Sequence, residues 1–301
     1  MVRDTRETRA CACVARFIMQ KGPCQCPSVL LFAPRLLGRR IERITMGLIH
    51  YAVRDRVAEL ALDNAPVNAL TVEMVDELIS GLNRAAAEEA VGAVIIHSVV
   101  PRRFCAGLDL AALEGASAEQ IRALLEKLYT GLYEAQLALG KPSIAAIAGA
   151  ARGGGMTLAI SCDMLIAGRS ASFGYPEIDV GVLPAIHFAH LPRIVGKHRA
   201  FDLLFTGRSF GPGEAKELGL VNRLVEDDAV LEEARSVAQL LLQKPQTTLR
   251  NGRKVFHEAI DHGFREGVAN AVDTFCDVAL SEQGREGVQA FARKRKPNWR
   301  T

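Results

Sequence analysis

Apolar positions recurring every second residue open the readable part of the chain. Leu48–Val53 and Val57–Leu62 alternate in this way around the polar triplet Arg54-Asp55-Arg56, which predicts a hairpin. Asn64-Ala65-Pro66 is turn chemistry. Thr71 can then cap a helix running to about Ala90, because Val75, Leu78, Ile79 and Leu82 repeat at helical spacing. Val91–His97 is an unbroken run rich in β-branched residues, the pattern of a strand covered on both faces. Ser117-x-x-Gln120 reads as a capping box for a long helix that stops at Gly140, ahead of Pro142. Ser143–Ile147 and Met164–Ala167 predict two more buried strands, with a glycine cluster leading into a helix over Gly153–Ser161 between them. From Lys197 the pattern is helical: Arg199–Phe205, Gly213–Leu218, Ala229–Leu242, Arg250–Leu280 and Glu282–Arg293. Alternating strands and helices followed by helices alone predict an α/β core over residues 46–196 and a helical C-terminal module over 197–301.

Composition narrows the class of protein. The chain has 301 residues, 49% hydrophobic and 24% charged, which suits a globular core and not a disordered chain. No apolar run approaches the roughly 18 residues of a membrane span, and a formal charge of +3 predicts no nucleic-acid footprint. The charge is unevenly placed. Residues 1–45 carry eight arginines and Lys21 against Asp4, Glu7 and Glu42, a net +6 that leaves −3 for the remainder. Cys11, Cys13, Cys24 and Cys26 also fall in this leader, but Cys-x-Cys pairs without a later His or CxxC are poor zinc-ligand spacing, so no metal site is expected. The leader reads either as a targeting peptide or as an extension upstream of a start at Met46. The second reading is preferred, and residues 1–45 are expected to be poorly ordered. Seven cysteines in no disulfide pattern suit a reducing compartment. That suggests the cytoplasm, or the mitochondrial matrix if the leader is a transit peptide.

Three segments carry candidate chemistry. In Phe104-Cys105-Ala106-Gly107-Leu108-Asp109-Leu110, Ala106 and Gly107 let a backbone approach a ligand closely, although a tight strand-to-helix turn is the better reading of this segment taken alone. In Gly149-Ala150-Ala151-Arg152-Gly153-Gly154-Gly155-Met156-Thr157, glycines open a helix whose first amides lack intrahelical acceptors, a place that favours an anion. No Gly-Lys-Ser/Thr follows, and the GxGxxG spacing of a dinucleotide site is missing. In Ser172-Phe173-Gly174-Tyr175-Pro176-Glu177-Ile178-Asp179-Val180-Gly181, Glu177 sits in an otherwise apolar turn. Desolvation there would raise its pKa into the range of a proton shuttle; a solvated turn acid is the plainer alternative.

Taken in order, these segments resemble the crotonase, or enoyl-CoA hydratase/isomerase, superfamily. The likeness extends to Pro66-Val67-Asn68-Ala69-Leu70, Cys162-Asp163 and the closing Ala290-Phe291-Ala292-Arg293-Lys294-Arg295-Lys296-Pro297. The resemblance implies a crotonase-like spiral of ββα units, C-terminal helices that trimerise, and a homotrimer or dimer of trimers. It implies an acyl-CoA substrate whose thioester oxygen is held as an enolate by two backbone N–H groups, those of Leu108 and Gly154. Coenzyme A then belongs to the substrate, and no separate cofactor, metal, nucleic acid or membrane partner is implied.

Hydratases of this family place two glutamates around the reacting carbons. The second maps to Glu177, but the first maps to Thr157. Hydration needs a positioned water, whereas a 1,3-proton shift needs one base, and family members that migrate a double bond also keep a single glutamate and read A-G-L-D-L. The sequence therefore favours isomerisation, with 2-enoyl-CoA hydration as the alternative. In place of the glycine-rich stretch many relatives carry, Gly181–Arg193 supplies His187 and His190, either facing an acyl pocket or serving as one packed and one solvated helix histidine. The resemblance also implies that the backbone of Pro66, Val67 and Asn68 lies near the adenine, and Ala106, Gly107, Gly153, Thr157 and Asp109 around the substrate, with Asp109 acting as a helix cap. Arg102, Arg103 and a neighbouring subunit's Lys294 or Lys296 are charge candidates for the CoA phosphates. Two other classes stay open: a non-catalytic CoA-ester-binding protein, and a thioester hydrolase or dehalogenase using His190 or Asp179.

Overall fold

A computed structural model describes residues 43–45, 47–260 and 264–298. Met46 and residues 1–42, with their four cysteines, lie outside the described residues. The last three residues assigned to the leader are described: β1 (Arg43–Thr45) adds an antiparallel edge to β2 (Ile49–Arg54). Strand pairing reaches them even though they precede the apolar pattern. The expected hairpin is formed by β2 and β3 (Val57–Leu62), turning through Asp55 and Arg56, both at positive φ, as a two-residue hairpin turn demands.

From β3 onward the chain repeats one unit: a long strand, a short strand displaced into a second layer, then a helix. The first unit is β3, β4 (Ala69–Leu70) and α1 (Val72–Ala87), capped as expected by the Thr71 side chain. The second is β5 (Ala93–Ser98), β6 (Arg103–Cys105) with β7 (Gly107–Leu108), and a helical run. That run begins with the Ser117/Gln120 capping box at α2 (Ala118–Glu126), passes through a π-turn at Lys127–Gly131 and ends in α3 (Leu132–Ala138). The third is β8 (Ser143–Ile147), β9 (Ala150–Arg152) and α4 (Gly154–Ser161). The fourth is β10 (Met164–Gly168), β11 (Ser172–Gly174) and, after a 3-10 turn at Pro176–Val180, α5 (Ala185–Val195). The long strands β3, β5, β8 and β10 pair in parallel in one sheet, and β6, β9 and β11 in parallel in another.

The C-terminal third begins with α6 (Lys197–Thr206) and α7 (Pro212–Glu217). It does not stay separate from the core, as the boundary at residue 197 predicts. β12 (Arg223–Val225) extends the main sheet beside β10, and α8 (Val230–Leu242) covers its outer face. The reason is packing. Val57, Ile95, Ile144 and Ile166 point to one side of the sheet and need a lid, and Val230, Ala234, Val237 and Ala238 form a matching stripe. Alternate residues such as Leu60, Val94, Ile96 and Ile147 bury in the larger core on the opposite side. Arg235 of α8 also donates to both oxygens of the buried Glu59, at 2.7 and 2.9 Å.

The span Arg250–Leu280, expected as one helix, is divided between α9 (Gln246–Ile260) and α10 (Phe264–Leu280), with the poor helix former Gly263 in the sequence between them. α11 (Glu282–Ala292) follows. Among the described residues no helix is long and apolar enough to cross a membrane.

Candidate active site

Because successive units stack in register, the ends of β6, β9 and β11 lie side by side, and all three candidate segments sit at those ends. The turn after β6 is held by the loop before it. Asn68, itself at positive φ and buried, donates to Phe104 O and Ser98 Oγ, and the Cys105 thiol donates to Asn68 O. Val67 O accepts the Ala106 N–H, and β4 pairs with β7 so that Leu70 faces Leu108. Asn68, expected from the resemblance only as backbone near the adenine, thus has a structural role that the sequence does not show. The usable signal was an asparagine in a turn segment, since asparagine tolerates left-handed backbone. Pro66 is exposed and Val67 half-buried at the rim of this loop. Asp109 caps the short helix after it by accepting from Ala111 N, as expected.

The glycines measure how close the segments come. A Cβ on Gly154 would lie 3.2 Å from the Leu108 amide nitrogen, and a Cβ on Gly107, at φ +92°, would lie 3.0 Å from the Gly154 nitrogen and 2.8 Å from Arg152 O. The two proposed donors thus border one gap that any side chain would fill. Gly154 also opens α4, so its N–H has no acceptor within the helix. The third segment closes over the same place. Gly153, at φ +48°, has Glu177 Oε1 at 2.7 Å from where its Cβ would stand. Glu177 is no solvated turn acid: Oε2 is buried with no hydrogen-bond partner among the described residues, and burial pushes the carboxyl up to about 7. Burial and the Glu177 charge both raise the phenols of Tyr129 and Tyr175, which places both rings near that carboxylate.

A cavity of about 310 Å³ is walled by Tyr129, Leu132, Thr157, Ile160, Ile186 and Phe256, among others. The π-turn helps to shape it, since Leu128 and Tyr129 enter the wall from that irregular stretch. Thr157, where the family's first glutamate would map, is buried, with Oγ1 3.4 Å from His187 Nε2. The two histidines divide between the two expectations. His190 lines the cavity and is not solvated, and burial lowers it to about 4; His187 is fully buried without lining the cavity. Asp179 is exposed, with its carboxylate against Gly207. Arg102, Arg103, Lys294 and Lys296 are exposed. Cys105 and Cys162 are buried free thiols, both pushed up to about 12 by burial.

Asp163, from the Cys162-Asp163 pair, fastens the cavity's outer wall. Its carboxylate accepts from Arg253 Nε at 2.8 Å and from Ser143 N at 2.8 Å, and its Oδ1 lies 2.7 Å from His257 Nε2. Arg253 and His257 both belong to α9. Exchanging Asp163 for Asn leaves a buried guanidinium without its counter-charge, so Asp163→Asn should cost about 3–5 kcal/mol. Thermal unfolding of the purified variant checks this, and an unchanged midpoint refutes the clasp.

The chain is similar to known proteins in sequence and in fold. A family model described as enoyl-CoA hydratase/isomerase matches residues 53–301. A Bacillus subtilis (strain 168) protein named "Probable enoyl-CoA hydratase" is 34% identical over 257 residues, covering 85% of this chain and 99% of that protein. The "Crotonyl-CoA hydratase" of Syntrophomonas wolfei is 33% identical over 237 residues, covering 77% of this chain and 90% of the relative. Among solved structures, an enoyl-CoA hydratase/isomerase from Xanthobacter autotrophicus Py2 superposes with a TM-score of 0.76 at 28% identity, covering 83% of this chain and 94% of that one.

Proposed function

The chain belongs to the enoyl-CoA hydratase/isomerase family, and from that premise we propose that it migrates the double bond of an enoyl-CoA thioester. The carrying observation is one buried carboxyl group beside the glycine gap, its Oε2 without a partner among the described residues, with a threonine where a second acid would stand. In this reading the thioester oxygen of a 3-enoyl-CoA occupies the gap and accepts from the N–H groups of Leu108 and Gly154. Glu177 takes the proton from C2, the electron pair spreads onto the thioester oxygen, and the resulting dienolate takes the proton back at C4. The double bond ends between C2 and C3. Two fixed amides favour the anionic intermediate over the neutral substrate, at about 3 kcal/mol for each donor. Only protons and electron pairs move, so the steps as written call for no redox group. The cavity beyond Thr157 suits the acyl chain, being about twice the size of an engineered cavity that holds benzene.

Hydration of a 2-enoyl-CoA is the second reading. The polar Thr157–His187 pair beside the cavity favours it, as do the hydratase names of the relatives. The two readings differ in substrate and in pH dependence. As the abstracting base, Glu177 must be ionised, so kcat/KM on 3-enoyl-CoA should rise through pH about 7 and then level. As the acid that protonates C2 during hydration, it must carry its proton, so the rate should fall above that pH. Separate assays on 3-enoyl-CoA and 2-enoyl-CoA, each followed across pH 5–9, test the proposal; hydration of 2-enoyl-CoA without isomerisation overturns it. Assembly with further copies of the chain also fits the exposed Phe201, Phe205, Val255, Phe256 and Ile260 on α6 and α9.

A further inference from the structure

The peptide that opens α4 has two working ends. Gly153 supplies its carbonyl and Gly154 its N–H, and in a planar trans peptide these point in opposite directions. Whatever grips the carbonyl therefore orients the amide. Two grips are ordinary helix bonds, from Met156 N at 2.8 Å and Thr157 N at 3.1 Å. The third is not: His187 Nε2, reaching in from α5, lies 3.3 Å from Gly153 O and 3.4 Å from Thr157 Oγ1. A carbonyl oxygen can only accept, so this contact requires the hydrogen on Nε2 and a bare lone pair on Nδ1. His187 Nδ1 is buried with no hydrogen-bond partner among the described residues, as that tautomer allows. Burial and the neighbouring His190 hold the ring well below the usual histidine range, so it stays neutral. The Tyr175 and His190 rings meet it edge-on at 4.4 and 4.8 Å and leave little freedom to turn.

We propose that His187 is a positioning residue for the oxyanion hole: it holds the Gly153–Gly154 peptide plane so that the Gly154 N–H faces the thioester oxygen. A third donor on the carbonyl also polarises the peptide and strengthens the amide at its other end. The same imidazole touches Thr157, so it links the anion site to the position where the family's other acid would stand. This proposal rests on Gly154 acting as an oxyanion donor, and its test separates the two ideas.

Two measurements decide it. In the unaltered protein with ¹⁵N-labelled histidine, the His187 nitrogen shifts should report the Nε2–H tautomer; an Nδ1–H tautomer overturns the proposal without any mutation. Then butyryl-CoA carrying ¹³C at the thioester carbonyl is bound to the unaltered protein, to His187→Leu and to His187→Gln, and its infrared carbonyl stretch is read. The unaltered protein should lower that stretch relative to free butyryl-CoA. His187→Leu should lose part of the lowering, with kcat down about 10- to 100-fold and KM within about threefold. His187→Gln, which keeps an N–H donor, should recover much of both. Full carbonyl lowering and unchanged kcat in His187→Leu overturn the positioning role. An unshifted carbonyl in the unaltered protein overturns the oxyanion-hole reading itself, and this proposal with it.

Discussion

Glu177→Gln should reduce turnover on either enoyl-CoA isomer by about 10³-fold or more, while affinity for the CoA ester stays within a few-fold. Gln matches the carboxylate in shape and still packs against Gly153 and near Tyr129 and Tyr175, but it neither takes a proton from carbon nor returns one. General acid–base groups contribute about 10²–10⁴-fold, and here one group serves both halves of the transfer. The variant should also be more stable, in a pH-dependent way. Burial moves the folded-state titration from 4.5 to about 7. Between those values the folded protein binds more protons than the unfolded chain, so stability falls as pH rises. Below about 4.5 both states carry the neutral acid, and Gln gains nothing from this effect. Above about 7 both states are ionised and the full cost of the buried charge applies, up to about 3 kcal/mol for that shift. Unfolding at pH 4 and pH 8 should show the advantage of Gln only at the higher pH. Wild-type turnover in Glu177→Gln removes this residue from the mechanism.

Gly107→Ala is the second large effect. The residue is at φ +92°, a conformation that costs other residues about 1–3 kcal/mol, and an added methyl would meet Arg152 O at 2.8 Å and Gly154 N at 3.0 Å. Both contacts are backbone, so relief requires moving the peptides that border the gap. We expect kcat to fall about 10²–10³-fold, comparable to loss of one oxyanion donor, together with lowered stability. Gly115→Ala is the control: its φ is +75°, but nothing lies within 4 Å of its added methyl. It should lose stability without losing turnover. Equal activity losses in the two variants would mean that backbone strain, and not the closed gap, explains Gly107.

How far the sequence revealed this molecule depended on the range of the signal. The Thr71 cap and the Ser117/Gln120 capping box are local and formed where the residues predicted, and the hairpin turn expected over Arg54–Arg56 is tightened to Asp55 and Arg56. The short strands β6, β9 and β11 were invisible, because three residues cannot display a period of two and their pairing partners lie far away in the chain. The same holds for β12, which forms only because β10 offers an edge. At the candidate site, the order of the three segments and the family resemblance pointed to Glu177 and the glycines, where residue type alone favoured plainer readings. The burial of His190, the grip of His187 on Gly153 and the clasp at Asp163 were not, since each depends on which helix arrives opposite.

The anion site proposed at the ends of β6 and β9 is made of main chain, and that has an evolutionary consequence. Side chains can be exchanged around a main-chain donor without deleting it, so long as the glycines stay. Position 157 is therefore free to vary between an acid and an alcohol while the means of holding the intermediate is inherited intact. A scaffold of this kind can change which reaction it performs by single replacements on its rim, without rebuilding the part that makes any of those reactions possible.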